Sequence, residues 1–158
     1  MTEKDKIRFM REAIKQAKIA FTKGEIPIGA VIVKDGKIIA RGRNKREETN
    51  LATAHAEIIA VNAACKKLKD WRLTGCEMFV TIEPCVMCAG AILNARMKKV
   101  YFGAEELKDG ALVNAFSVLK NGSLNWSCPH EGGLLASECA TLMVDFFKAR
   151  RKNSSENS

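Results

Sequence analysis

Apolar residues recur along this chain with two distinct periods. Over residues 3–23, Met10, Ile14, Ala17 and Phe21 fall at spacings of four, three and four, which puts them on one face of an α-helix. Gly24 supplies a C-terminal stop and Pro27 forbids continuation. The period then shortens. Ala30–Val33 and Ile38–Ala40 are apolar runs joined through Lys34-Asp-Gly-Lys37, and Asp-Gly between β-branched runs is a strong hairpin signal.

Polar residues fill 43–50 and read as a loop. A helix follows, capped by Thr53 and carrying Ile58, Ile59, Val61, Ala64, Cys65 and Leu68. Glu77–Ile82 reads as a buried strand. Pro84 opens another helix from inside its first turn, where proline is favoured, and that helix runs to about residue 95. Lys99–Phe102 is a short strand, 111–119 a helix, and 133–150 a last helix with Leu135, Cys139, Leu142, Met143, Phe146 and Phe147 on one side. The tail from Asn153 to Ser158 is polar and expected to fray. Strands alternating with helices argue an α/β layered sheet covered on both faces, and the opening hairpin makes that sheet mixed. No repeat divides the chain, so residues 1–152 form one domain followed by a short tail.

Composition narrows the setting. Of 158 residues, 47% are hydrophobic, enough for an ordinary core. No apolar run approaches the roughly 18 residues of a membrane helix, and the mixed-charge start is no signal peptide. A cytoplasmic protein is expected. Its six cysteines then point to metal ligation or plain burial rather than disulfides. The net charge of +8 suits an anionic partner and equally a merely solvated surface.

The chemistry lies in two short stretches. Residues 55–57 read His-Ala-Glu and residues 84–88 read Pro-Cys-Val-Met-Cys. His55, Cys85 and Cys88 offer three zinc ligands, and three ligands leave a fourth tetrahedral position open for chemistry. This wording is the signature of zinc nucleobase deaminases. Both halves open helices, whose unpaired N–H groups favour negative charge, so the Cys85 thiol pKa should fall. Glu57 sits about 200° around a helix from His55, so it need not compete as a ligand and is free to move protons. The implied reaction is hydrolytic: zinc-bound hydroxide attacks the amine-bearing carbon, and Glu57 carries the proton to the ring nitrogen and then to departing ammonia.

The plainer readings are a closed structural zinc site and an inert Cys-x-x-Cys. A closed site needs a fourth ligand, and neither His130 nor the remaining cysteines has partner spacing. Cys65, Cys76 and Cys139 lie in apolar settings and read as buried small hydrophobes. Cys128 and His130 make an isolated pair. Phe146-Phe147 is most simply core, with one ring able to face outward beside Arg150 and Arg151. Two rival functions stand: a deaminase of free bases such as guanine or cytosine, and a non-catalytic RNA-binding subunit, against which Glu57 argues.

The wording around the motif resembles the bacterial tRNA-specific adenosine deaminases, of the cytidine-deaminase-like fold. The matching text is Ile26-Pro-Ile-Gly-Ala-Val31, Thr53-Ala-His-Ala-Glu-Ile58, Thr81-Ile-Glu-Pro-Cys-Val-Met-Cys-Ala-Gly-Ala91, Val100-Tyr-Phe-Gly-Ala104, and Glu138-Cys139 through Asp145-Phe-Phe-Lys-Ala-Arg-Arg151. The resemblance spans the chain to Arg151. It implies a three-layer α/β/α domain with a central mixed five-stranded sheet. It implies adenosine-to-inosine conversion at wobble position 34 of a tRNA, usually an arginine tRNA, by a homodimer that holds one Zn2+ per subunit and binds the anticodon arm near the subunit interface. His55, Cys85 and Cys88 match the zinc ligands and Glu57 the proton shuttle. Asn44 matches a residue that hydrogen-bonds the target base, Ile28 an apolar wall of its pocket, and Ala56 an assisting backbone. Phe147, Arg150 and Arg151 match a helix region that meets the anticodon arm, and Glu106 and Lys108 lie at matched loop positions.

The chain also departs from the family pattern. Leu51-Ala52 stands where Asp-Pro is common, and Glu105-Glu-Leu-Lys-Asp-Gly110 stands where Arg-Asp-x-Lys-x-Gly is common. Glu106 keeps the carboxylate, whereas Glu105 reverses a charge, and a phosphate contact there would be lost. Pro129 weighs against an edge strand over 126–130.

Overall fold

The structure, a computed structural model, describes residues 1–106, 110 and 126–156. Lys108 and the helix expected over 111–119 lie outside the described residues. The first helix, α1 (Glu3–Thr22), starts where the Thr2 hydroxyl accepts the Asp5 amide at 3.1 Å, and it buries Phe9, Met10, Ala13, Ile14, Ala17 and Ala20. Strands β1 (Gly29–Lys34) and β2 (Lys37–Arg43) follow. The Asp35-Gly36 turn between them has φ of 51° and 76°, the left-handed pair that a two-residue hairpin needs.

Residues 43–50, expected as loop, contain a one-turn helix, α2 (Arg46–Thr49). It has no apolar periodicity to announce it and none of its residues is buried. Then come α3 (Ala56–Leu68), β3 (Glu77–Ile82), α4 (Val86–Asn94), β4 (Lys99–Ala104), β5 (His130–Glu131) and α5 (Ala136–Glu156). Two expected helix starts are corrected. His55, not Thr53, is the N-cap of α3: its carbonyl takes the first helical bond, from Ile59 at 3.0 Å. Cys85 is the N-cap of α4, with Ala89 donating to its carbonyl at 2.9 Å, so Pro84 stands one residue outside the helix.

The last helix begins later and ends later than expected. Gly133 and Leu135 take φ of 89° and 54°, which no right-handed helix includes. From Ala136 on there is no glycine or proline to stop it, and it continues to Glu156, past the expected end at 150. Pro129 does not abolish the edge strand. It has no N–H to give, but its carbonyl accepts from Val100 at 3.0 Å, and the two-residue β5 follows directly.

The sheet order is β2-β1-β3-β4-β5. The first two pairings are antiparallel and the last two parallel, which makes the sheet mixed. Strand alternation builds two cores. Ala30, Ile32, Met78, Val80, Val100 and Phe102 face α3 and α4. Val31, Val33, Phe79 and Tyr101 face α1 and α5. This is the three-layer α/β/α arrangement. Close helix–sheet approach depends on glycine: a Cβ at Gly29 would strike the α1 backbone at Ala13, and one at Gly42 would strike the Ala56 carbonyl of α3.

The pairings also decide where a site can form. Gly29 pairs with Arg43, and Ile82 with Ala104. The entry to β1 and the exits of β2, β3 and β4 therefore meet at one end of the sheet, which is where α3 and α4 begin.

A candidate metal centre and its pocket

Two helix N-caps meet at that end. N-cap positions favour Ser, Thr, Asp and Asn, whose side chains turn back onto the helix. Here they hold His55 and Cys85, and neither side chain makes a capping bond. Each instead points at the other: Cys85 Sγ lies 3.7 Å from His55 Nδ1. Cys88, one turn into α4 and fully buried, puts its Sγ 3.6 Å from the same nitrogen. Zn–S near 2.3 Å and Zn–N near 2.0 Å at a tetrahedral angle separate sulfur from nitrogen by about 3.6 Å. The three donors are thus spaced as ligands of one tetrahedral ion, and they form the single His/Cys/Asp/Glu cluster of this kind among the described residues.

Glu57 is the second residue of α3 and only 4% exposed. Because His55 is the N-cap in extended backbone, the 200° helical separation expected between them does not apply. Burial raises the Glu57 carboxyl to about 7. Cys85 and Cys88 behave as one unit. The Cys88 thiol and the His55 ring favour a thiolate at Cys85, whose pKa falls to about 4, and that first charge then pushes Cys88 far upward. A hydrogen bond to Cys85 raises His55 in turn.

A cavity of about 420 Å³ opens beside these groups. Asn44, Ile28 and Ala56 all line it, together with His55, Glu57 and Cys85. Asn44 is 5% exposed; its N–H donates to the Ile28 carbonyl at 3.1 Å, and its Oδ1 accepts from Arg46 N–H at 3.0 Å. Glu106 and Phe147 also reach this cavity. Arg150 and Arg151 do not; they line a shallower depression with Phe147 and Ser154, so Phe147 is common to both. The Phe146-Phe147 pair is divided: Phe146 is buried and Phe147 is 37% exposed.

Several lining residues were not singled out for a site by the sequence. Arg46 sits in the unannounced α2, and Ile26, Ile82 and Met143 complete the apolar wall. Glu83 is 2% exposed and accepts the Glu106 amide at 3.1 Å, tying the loop after β4 to the start of α4. Its place directly before Pro84-Cys85 was the available clue. Cys76 and Cys139 are buried as expected, while Cys65 is half-buried and donates to the Trp71 carbonyl. No helix among the described residues is long and apolar enough to cross a membrane.

Taken together, this fold and this cluster define a deaminase. Residues 4–151 match the MafB19-like deaminase family. The tRNA-specific adenosine deaminase of Streptococcus pyogenes is 50% identical over 149 residues, covering 92% of this chain and 94% of that protein. A structure solved in studies of adenosine-to-inosine editing by tRNA:A34 deaminases superposes with a TM-score of 0.83 at 41% identity, covering 85% of this chain and 98% of that one. A guanine deaminase from Nitrosomonas europaea shares the fold, with a TM-score of 0.77 at 22% identity over 89% of this chain and 83% of the other. The chain belongs to the tRNA-specific adenosine deaminases.

Proposed function

We propose that this protein hydrolyses adenosine to inosine at wobble position 34 of a tRNA, that of an arginine tRNA, with one zinc ion held by His55, Cys85 and Cys88. The observation that carries the reading is the triad of donors at 3.6–3.7 Å with a buried glutamate beside it in a base-sized cavity. Likeness to the tRNA deaminases selects the substrate. Bound there, zinc supplies Lewis-acid activation of water near neutral pH.

The remaining steps belong to the chain. Glu57 takes a proton from the attacking water and delivers it to the ring nitrogen, then a second to the departing amine. The water oxygen replaces the exocyclic nitrogen at C6, and ammonia leaves. Glu57 is buried on the first turn of α3 and lines the same cavity as His55 and Cys85, which suits a group that must both accept and give a proton there. Ile28 and the Ala56 backbone bound the base, and Asn44 hydrogen-bonds it. Asn44 Nδ2 carries no hydrogen bond among the described residues and is available to the base. A base splayed out of an anticodon loop into such a pocket is a common mode of RNA reading.

At the cavity and beside it, Phe147, Arg150 and Arg151 contact the anticodon arm, with Glu106 and Lys108 at the neighbouring loop. The protein works in the cytoplasm as a homodimer, with the anticodon loop near the subunit interface. The test is incubation with unmodified tRNA bearing adenosine at position 34, followed by sequencing for A-to-G readout. Conversion is expected, with no turnover of guanine, cytosine or their nucleosides. Turnover of a free base without conversion of the tRNA refutes the proposal.

A further inference from the structure

Glu25 is a carboxylate sealed inside the protein, with 1% of it exposed. Among the described residues it pairs with no basic side chain. Its two oxygens take separate backbone amides: Oε1 from Glu47 at 3.1 Å and Oε2 from Glu48 at 2.7 Å. Both amides belong to the first turn of α2, whose own N-cap, Lys45, contributes no side-chain bond. A four-residue helix does not hold itself together, because ordering an isolated turn costs more than its few bonds return. Burying a carboxylate is costly as well, and two charge-assisted bonds are what offset it.

The segments that Glu25 joins are opposite walls of the pocket. Ile26 and Ile28 stand on its own side, Asn44 and Arg46 on the side of α2. Glu25 does not itself line the cavity. The walls touch once more where the Asn44 N–H donates to the Ile28 carbonyl. On its own side α2 is held by the Lys45 N–H on the Ala54 carbonyl at 3.0 Å, the Arg46 N–H on Asn44 Oδ1 and the Arg43–Glu48 ion pair at 3.4 Å, but among the described residues it is Glu25 that ties the α2 amides across to the opposite wall.

We propose that Glu25 is a positioning residue of the deamination: its carboxylate clamps α2 so that Asn44 and Ile28 keep a fixed spacing across the base. This rests on the reading of the cavity as the seat of the target adenosine. The proposed metal ligands sit at the starts of α3 and α4, and the proposed RNA contacts sit on α5 and in the loop after β4; among the described residues none of them is bonded to Glu25. Loss of Glu25 therefore leaves metal and tRNA affinity in place and lowers the rate at which a bound base reacts.

The test compares wild type, Glu25→Gln, Asn44→Ala and the double variant in single-turnover conversion of the position-34 adenosine tRNA. Metal content and tRNA Kd are measured on the same samples. Glu25→Gln keeps the shape and one acceptor, and is expected to react about tenfold more slowly or worse, with full metal content and Kd within about twofold of wild type. In the Asn44→Ala background the same substitution costs less than about twofold, because the group it positions is gone. A wild-type rate in Glu25→Gln, or equal fold losses in both backgrounds, overturns the proposal. If Glu25→Gln does not fold, hydrogen exchange on the wild-type protein decides: the Glu47 and Glu48 amides should exchange about a hundredfold more slowly than in an unstructured peptide, and unprotected amides overturn the clamp. A wild-type protein that leaves the tRNA unconverted refutes the functional reading, a result distinct from any of these.

Discussion

Gly42→Ala should move the candidate metal centre without touching any of its three donors. The added methyl would strike the Ala56 carbonyl, lie 2.8 Å from the Ala60 nitrogen and 3.2 Å from the Ala56 carbonyl carbon. All are backbone atoms of the first turns of α3, so no flexible side chain can yield. Ordinary contact begins at 3.4 Å, so Ala60 N must retreat by about 0.6 Å and the Ala56 carbonyl further. His55 and Glu57 travel with that turn. Overpacking of this kind costs about 1–3 kcal/mol, which for a chain of this length lowers Tm by about 2–12 °C. The shifted imidazole should weaken metal affinity by about tenfold or more. The assay is thermal unfolding with and without zinc, beside competition against a chromophoric chelator. Gly36→Ala is the control: its φ of 76° strains the turn by about 1–2 kcal/mol, but it lies at the far end of the sheet and should leave metal affinity unchanged. Wild-type chelator competition in Gly42→Ala, or equal weakening in both variants, refutes the argument.

Glu57→Gln should retain stoichiometric metal and convert tRNA about 10²–10⁴-fold more slowly; near-native turnover would remove the proton shuttle from Glu57. Burial pushes the Cys128 and Cys139 thiols up to about 12. A raised thiol pKa means the proton stays on below that value, so at pH 8 neither should react with a disulfide reagent until denaturant is added. Fast reaction of either in the native protein would contradict their packing. Phe147→Ala should weaken tRNA binding by about 1–3 kcal/mol with little change in salt dependence, whereas Arg150→Ala should lower the salt slope by about one; filter binding across salt concentrations separates the two.

Much of this molecule was legible because its signals are local. The α1 face and the Asp35-Gly36 turn follow from spacing within a few residues, and the ligand set from a motif whose residue types have few other uses. Helix starts were less legible. Thr53 and Pro84 are what ordinary helix openings look like, but His55 and Cys85 take the N-caps and turn toward each other rather than back onto their helices. Helix α2 was invisible because its stabilising partner, Glu25, is 22 residues away and no periodic face marks the pair. The walls formed by Arg46, Glu83 and Met143 depend on strand pairing, which no single stretch encodes. The resemblance placed Asn44 and Ile28 in the pocket, and their contact is set by the meeting of β1 and β2 at one end of the sheet.

That meeting leaves the opposite rim of the sheet, among the described residues, outside the cavity. The tight turn at Asp35-Gly36 and the connection through Trp71 and Gly75 lie on this rim, exposed and away from the cavity. Peptide tags, fluorescent labels or whole inserted domains should be accommodated there, since exposed loop tips tolerate added chain. The architecture thus separates a working rim from a permissive one, and it marks where the enzyme can be tethered to a surface or fused to a targeting module with its catalytic mouth left open.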